Sequence, residues 1–158
     1  MRVLLYTCIV IILAGCQSLP PLKAYEGEVK PDNETARIVG AIEGDHTILQ
    51  GLNVYLLISC VDGESTSNQF TMGSRYPKEV IVEPGRHYIQ AVYSQSNSYA
   101  YYSLWVDAEA SEVYSVNSEI KGYKVRMWLT DREGSEVGGI PDARNTALTT
   151  DEMCLGSY

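Results

Sequence analysis

The chain has 158 residues and a formal net charge of −8, from 12 Lys+Arg against 20 Asp+Glu. That length suffices for one domain with a real core. The acidic balance speaks against a nucleic-acid partner, which would need a basic footprint, and against a domain lying flat on anionic lipid by charge alone.

The first sixteen residues have three parts. Arg2 gives a positive start, Val3 to Leu13 an unbroken run without charge, and Ala14-Gly15 a small pair before Cys16. This is the layout of a secretory signal peptide. Eleven helical residues rise only about 16 Å, short of the roughly 30 Å hydrocarbon core of a bilayer, so the run does not read as a membrane span. Leu13-Ala14-Gly15-Cys16 resembles the lipobox of bacterial lipoproteins at all four positions. The resemblance implies cleavage before Cys16 and acylation of its sulfur and new amino group, with the chain held on a membrane through Cys16. Two or more buried acyl chains hold stably where one does not. In Gram-negative members of that class, an aspartate after the cysteine favours inner-membrane retention. Gln17-Ser18 here implies the outer membrane, with the domain facing the periplasm.

Arg2 is the only charged residue in 1–15, so the 143 residues that remain carry 11 Lys+Arg against 20 Asp+Glu, a net charge of −9. Cys8 leaves with the signal and Cys16 takes lipid, leaving Cys60 and Cys154. In an oxidising compartment two thiols read as one disulfide. Its loop of about 100 residues is worth about 4–5 kcal/mol in the chain-entropy model. The alternative is a buried Cys60 and a free thiol at Cys154.

Residues 16–34 read as lipidated cysteine and tether. Pro20, Pro21 and Pro31 break regular structure, and Lys23, Glu26, Glu28, Lys30 and Asp32 keep the segment solvated. Residues 35–138 read as the domain. Thr35 to Ile42 is a first strand and Leu52 to Val61 a second, apolar on both faces and hence central. A short edge strand is expected near Asn68 to Met72. Lys78 to Glu83 and Arg86 to Ser94 flank a Pro84-Gly85 turn. Tyr99 to Val106, Val113 to Ile120 and Lys124 to Asp131 follow, with a last short strand near Val137. No stretch has a helical period. The expectation is an all-β fold, a single antiparallel β-sandwich of about seven strands, with residues 139–158 an irregular tail unless Cys154 pins it. Val82-Glu83-Pro84-Gly85-Arg86-His87-Tyr88-Ile89 resembles the strand–Pro-Gly–strand unit of PEGA-type and related small lipoprotein β-domains, over roughly Leu52 to Asp131. The literal Pro-Glu-Gly-Ala motif is absent. The resemblance implies an all-β fold and no catalytic residue.

Catalytic constellations are not found. His46 lies in a polar loop beside Asp45, and His87 shares a strand face with Ile89, Ala91 and Tyr93, the pattern of a strand histidine with a satisfied hydrogen bond. No nucleophile elbow, phosphate loop or zinc-ligand spacing occurs. Asp107, Glu109, Glu112, Asp131 and Glu133 all fall in expected turns and match no EF-hand loop. The reading is therefore no enzyme, no cofactor and no metal.

The aromatic content is unusual: twelve tyrosines and one phenylalanine. Strand alternation puts Tyr101 and Trp105 on one face of their strand and Trp128 on the outward face of another. If those faces belong to one sheet, the three rings form an amphipathic platform suited to a sugar ring or a protein partner. The alternative is cross-strand packing or cover by the 62–77 loop. The chain thus reads as a non-catalytic cell-envelope lipoprotein with a structural or partner-binding β-domain, the alternative being a glycan- or peptidoglycan-binding module that uses Tyr101, Trp105 and Trp128.

Overall fold

The computed structural model describes residues 21–43, 53–67, 76–96, 98–122, 124–140 and 154. Among them are eleven strands and one short 3-10 turn, Asp32–Glu34. In chain order the strands are β1 (Leu22–Lys23), β2 (Ala36–Val39), β3 (Ile42–Glu43), β4 (Val54–Val61), β5 (Glu64–Ser65), β6 (Glu79–Val82), β7 (Gly85–Gln95), β8 (Ser98–Ala108), β9 (Val113–Lys121), β10 (Lys124–Thr130) and β11 (Glu136–Val137). They form two sheets, ordered β1-β6-β2-β9-β10-β11 and β3-β4-β7-β8, with β5 also on β4.

The all-β expectation holds, and the two sheets enclose one core. Ile38, Val80, Val82, Tyr114, Val116, Met127 and Leu129 from the first meet Leu56, Ile58, Ile89, Ala91, Leu104 and Val106 from the second. Period-two spacing along each strand puts these side chains on the inner face. Each fully buried aliphatic contributes about 1.5–3 kcal/mol.

Strand count and direction differ from expectation. There are more strands than seven, and the first sheet is mixed: β1 runs parallel to β6, and β2 parallel to β9. Parallel neighbours need long connections, and here the rest of the domain supplies them. The expected first strand is two. The chain leaves the first sheet after Val39 and enters the second at Ile42, a crossing that needs glycine at position 40, where a Cβ would sit 1.9 Å from the Leu56 carbonyl oxygen. Ala41 and Leu56 then exchange both backbone hydrogen bonds, at 3.1 and 2.8 Å.

The Pro84-Gly85 turn is likewise a crossing. β6 pairs with β1 and β2, β7 with β4 and β8, so the strand leaving Gly85 does not return along β6. Both flanking strands are apolar, and each buries its inner face from opposite sides of the core. Turn chemistry fixed the reversal of direction but not the partner. The expected edge strand at Asn68 to Met72 lies outside the described residues.

Residues 21–34, read as tether, are docked. Leu22 and Ala24 pack against the core, and the Ala24 amide donates to the Ile81 carbonyl at 2.8 Å. Lys30 pairs with Glu83, and Arg37 bridges Asp32 and Glu79 at 2.9 Å each. Two of the charges read as keeping this segment solvated, Lys30 and Asp32, thus pair with residues at the sheet. At the other end, Gly138 lies where a Cβ would meet the Trp105 carbonyl oxygen at 1.8 Å, and Gly139 exchanges both backbone hydrogen bonds with Trp105, at 2.8 and 3.1 Å. That contact joins the chain leaving β11 to the rim of β8 and covers part of an edge open to wrong pairing.

Candidate functional site on the outer face of the second sheet

β4, β7 and β8 bury more than their inner face. Leu57, Tyr88, Gln90 and Val92 alternate with the core residues and so point away from the core, yet all are buried. Cys154 sits on this face, itself buried, in a disulfide to Cys60 with a Cα–Cα distance of 6.0 Å. The bridge expected between Cys60 and Cys154 is therefore present, and it pins the tail at Cys154. A β-bulge between Ile58 and Cys60 inserts Ser59 opposite Gln90, which crowds polar groups at this point. Ser59 Oγ donates to Gln90 Oε1 at 2.6 Å, and Gln90 Nε2 donates to the Cys154 carbonyl at 2.6 Å. Ser103 Oγ donates to the same carbonyl at 3.3 Å, and the Gly63 amide approaches Cys154 Sγ at 3.2 Å. Cys154 is thus held by polar contacts as well as by its bond. Sequence reading missed Ser59 and Gln90; the signal available was a glutamine between Ile89 and Ala91 in an otherwise apolar strand.

The three aromatic residues belong to two sheets. Tyr101 and Trp105 lie on β8 in the second sheet, and Trp128 lies on β10 in the first, with the chain leaving β11 bridged to Trp105 where the two sheets meet. The single-sheet arrangement expected for the three rings is not the one observed. Each tryptophan instead carries an arginine. The Arg86 guanidinium lies 4.4 Å from the Trp105 ring centre and is gripped by Asp107 at 2.7 and 2.6 Å. Arg126 lies 5.0 Å from the Trp128 ring and is gripped by Glu136 at 2.7 and 2.9 Å. A guanidinium over one ring face and, at Trp105, Gly139 against the indole nitrogen leave less of each ring for a sugar. The hydrogen bonds from Arg86 hold the Asp107 carboxyl below the usual carboxylate range.

His87 is the structural histidine its strand position suggested. Its Nδ1 is 2.6 Å from Asp62 Oδ2 and its Nε2 is 2.7 Å from the Glu83 carbonyl oxygen. Two acceptors facing two ring nitrogens favour the doubly protonated ring. Burial works against that charge, but the Asp62 carboxylate and the Glu83 carbonyl outweigh it, so the pKa is raised. Asp62 also accepts from the Tyr88 amide at 2.8 Å, tying the turn after β4 to the start of β7.

The five turn carboxylates are brought together more closely than their spacing in sequence suggested. Asp107, Glu109, Glu112, Asp131 and Glu133 line one open cleft of about 600 Å³, with Trp105 on its wall. Asp131 is occupied in accepting the Glu133 and Ser135 amides, at 3.0 and 2.8 Å. Tyr114, whose hydroxyl burial raises its pKa, accepts the Glu109 amide at 3.0 Å. Among the described residues no three His, Cys, Asp or Glu side chains gather to hold a metal ion. Cys16 and His46 lie outside the described residues. No protein-family model, curated protein or solved structure matches the chain.

Proposed function

We propose that this chain is a lipid-anchored lipoprotein of the cell envelope, held in the outer membrane through Cys16 and facing the periplasm. Its β-sandwich domain serves a structural or partner-binding role without catalysis. The observation that carries this is Leu13-Ala14-Gly15-Cys16 at the end of a short apolar run. The Cys60–Cys154 bridge supports it, since such bonds persist in oxidising compartments. The chemistry of the described surface supports the non-catalytic part. His87 is fully engaged in holding Asp62 to the Glu83 carbonyl, and the cleft carboxylates are in part tied to Arg86 and to backbone amides. The glycan reading needs free ring faces, and Arg86 and Arg126 each lie over one face of Trp105 and Trp128.

Labelling cells with radioactive palmitate tests the proposal. The wild-type chain should take up label and run at the size of the cleaved form. Cys16→Ala should lose the label and accumulate as an uncut precursor. Equal labelling of the two would refute the assignment of the anchor to Cys16.

A further inference from the structure

The two ends of the domain differ in charge and polarity, and the anchor enters at one of them. Leu22 is six residues after Cys16, so the chain between them spans at most about 20 Å even when extended. Leu22 pairs with Val80 in a parallel register, which places the start of β6 at this end. Val39 pairs with Glu79, so β2 ends here too, and its parallel neighbour β9 runs toward the same end. β9 passes its last β2 partner, Ser115, and continues to Lys121, where the hairpin returns through Lys124. The crossing at Gly40 brings Ile42 in the second sheet to this end. Pairing of Val54 with Gln95 brings the β7–β8 hairpin there as well.

This end carries three of the exposed large apolar side chains: Ile120 at 51%, Tyr99 at 64% and Ile42 at 39% exposure. Lys78, Lys121 and Lys124 are exposed beside them. Three carboxylates fall at this end by strand register: Glu43, Glu79, which is paired with Arg37, and Glu119, which is paired with Lys121. The opposite end holds Asp62, Glu64, Asp107, Glu109, Glu112, Asp131 and Glu133, against Lys30, Arg86 and Arg132. Lysines beside isolated apolar side chains suit a bilayer interface: the lysines meet anionic headgroups and the apolar groups enter the boundary below. The acidic end would be repelled from the same surface.

We infer that the β9–β10 hairpin tip, with Ile120, Lys121 and Lys124, rests together with Lys78 and Tyr99 in the headgroup layer of the bilayer that carries the chain's own anchor. The domain then stands end-on, with its acidic end directed away from the membrane. This rests on the lipoprotein reading, because the anchor brings the tip to the lipid.

Lysine footprinting tests it. The acylated chain is reconstituted in vesicles of phosphatidylethanolamine and phosphatidylglycerol and treated with a water-soluble N-hydroxysuccinimide ester. The reference is the Cys16→Ser chain exported behind an ordinary signal peptide. Peptide mass spectrometry reads Lys121 and Lys124 against Lys30, which lies at the other end beside Glu83. The expected result is a several-fold loss of labelling at Lys121 and Lys124 relative to Lys30 in the anchored protein. Lipid mass on Cys16 with an unchanged ratio would overturn the membrane contact and leave the anchor standing. No lipid mass on Cys16 would overturn both.

Discussion

In β4 and β7, consecutive residues from Leu56 to Ser59 and from Tyr88 to Tyr93 are all buried. In β9 and β10, burial alternates. Tyr114, Val116, Met127 and Leu129 face the core, while Ser115, Lys124 and Arg126 are exposed. The middle of the second sheet, β4 and β7, is thus covered on both faces, and β9 and β10 on one. A sheet solvated on one side needs only a polar outer row. A sheet covered on both sides needs something fixed over it, and Cys154 with its bond to Cys60 and its contacts to Gln90 and Ser103 is a fixed point on that outer face.

The largest effect should come from cutting that fixed point. Reduction opens a loop of 94 residues, for which the chain-entropy model gives about 4–5 kcal/mol. Denaturant unfolding of oxidised and reduced protein would measure the loss. Amide exchange would locate it, with Leu57 and Val92 losing protection before Met127 and Leu129. Equal loss in both sheets would mean that the bridge does not hold the outer face of β4 and β7 in particular.

A smaller effect compares outer faces directly. Leu57→Ala should cost about 2–4 kcal/mol, as buried leucine truncations do, whereas Ser115→Ala on the first sheet should stay within about 0.5 kcal/mol. A neutral Leu57→Ala would mean that the outer face of β4 is not a packed layer.

The smallest effect is the pH dependence of the clasp between the two sheets' crossing and the turn after β4. The pKa of His87 is raised on folding. Its contribution is therefore fully present below the unfolded value of about 6.5 and is lost as pH rises through the folded pKa. Stability measured across this window should decline more in the wild type than in His87→Phe. Proton NMR titration of the ring should show the raised value directly, and an unshifted ring would remove the clasp from the account.

Much of the strand layout was legible in the sequence. Alternation and turn residues placed β4 and β6 to β11 within a few residues of their bounds, and both-face apolarity marked β4 as central. Pairing was not legible, because local chemistry reports a reversal but not which sheet receives the chain. Pro84-Gly85 reads the same as a hairpin turn and as a crossing. Gly40 carries no sign that the Leu56 carbonyl will lie against it. The docking of Leu22 and Ala24 was masked by the prolines and charges around them, since Lys30 and Asp32 could be assigned to water until Glu83 and Arg37 were placed beside them. At the site, the cysteine pairing followed from counting, and His87 from its strand face. That Trp105 and Trp128 belong to different sheets was not legible, because periodicity gives a face and not a sheet. Asp62, Ser59 and Gln90 become partners of His87 and Cys154 only once β4 and β7 are side by side.

The account as a whole depends on a chain that begins at Cys16, carries lipid there and is closed by one disulfide. The intact mass of protein extracted from membranes under non-reducing conditions, with fragmentation of the N-terminal peptide, tests these together. The account predicts an N-terminus at Cys16 bearing acyl mass, with Cys60 and Cys154 resistant to alkylation until reduced. A chain that still begins at Met1, or one that begins at Cys16 with no added mass, would contradict it.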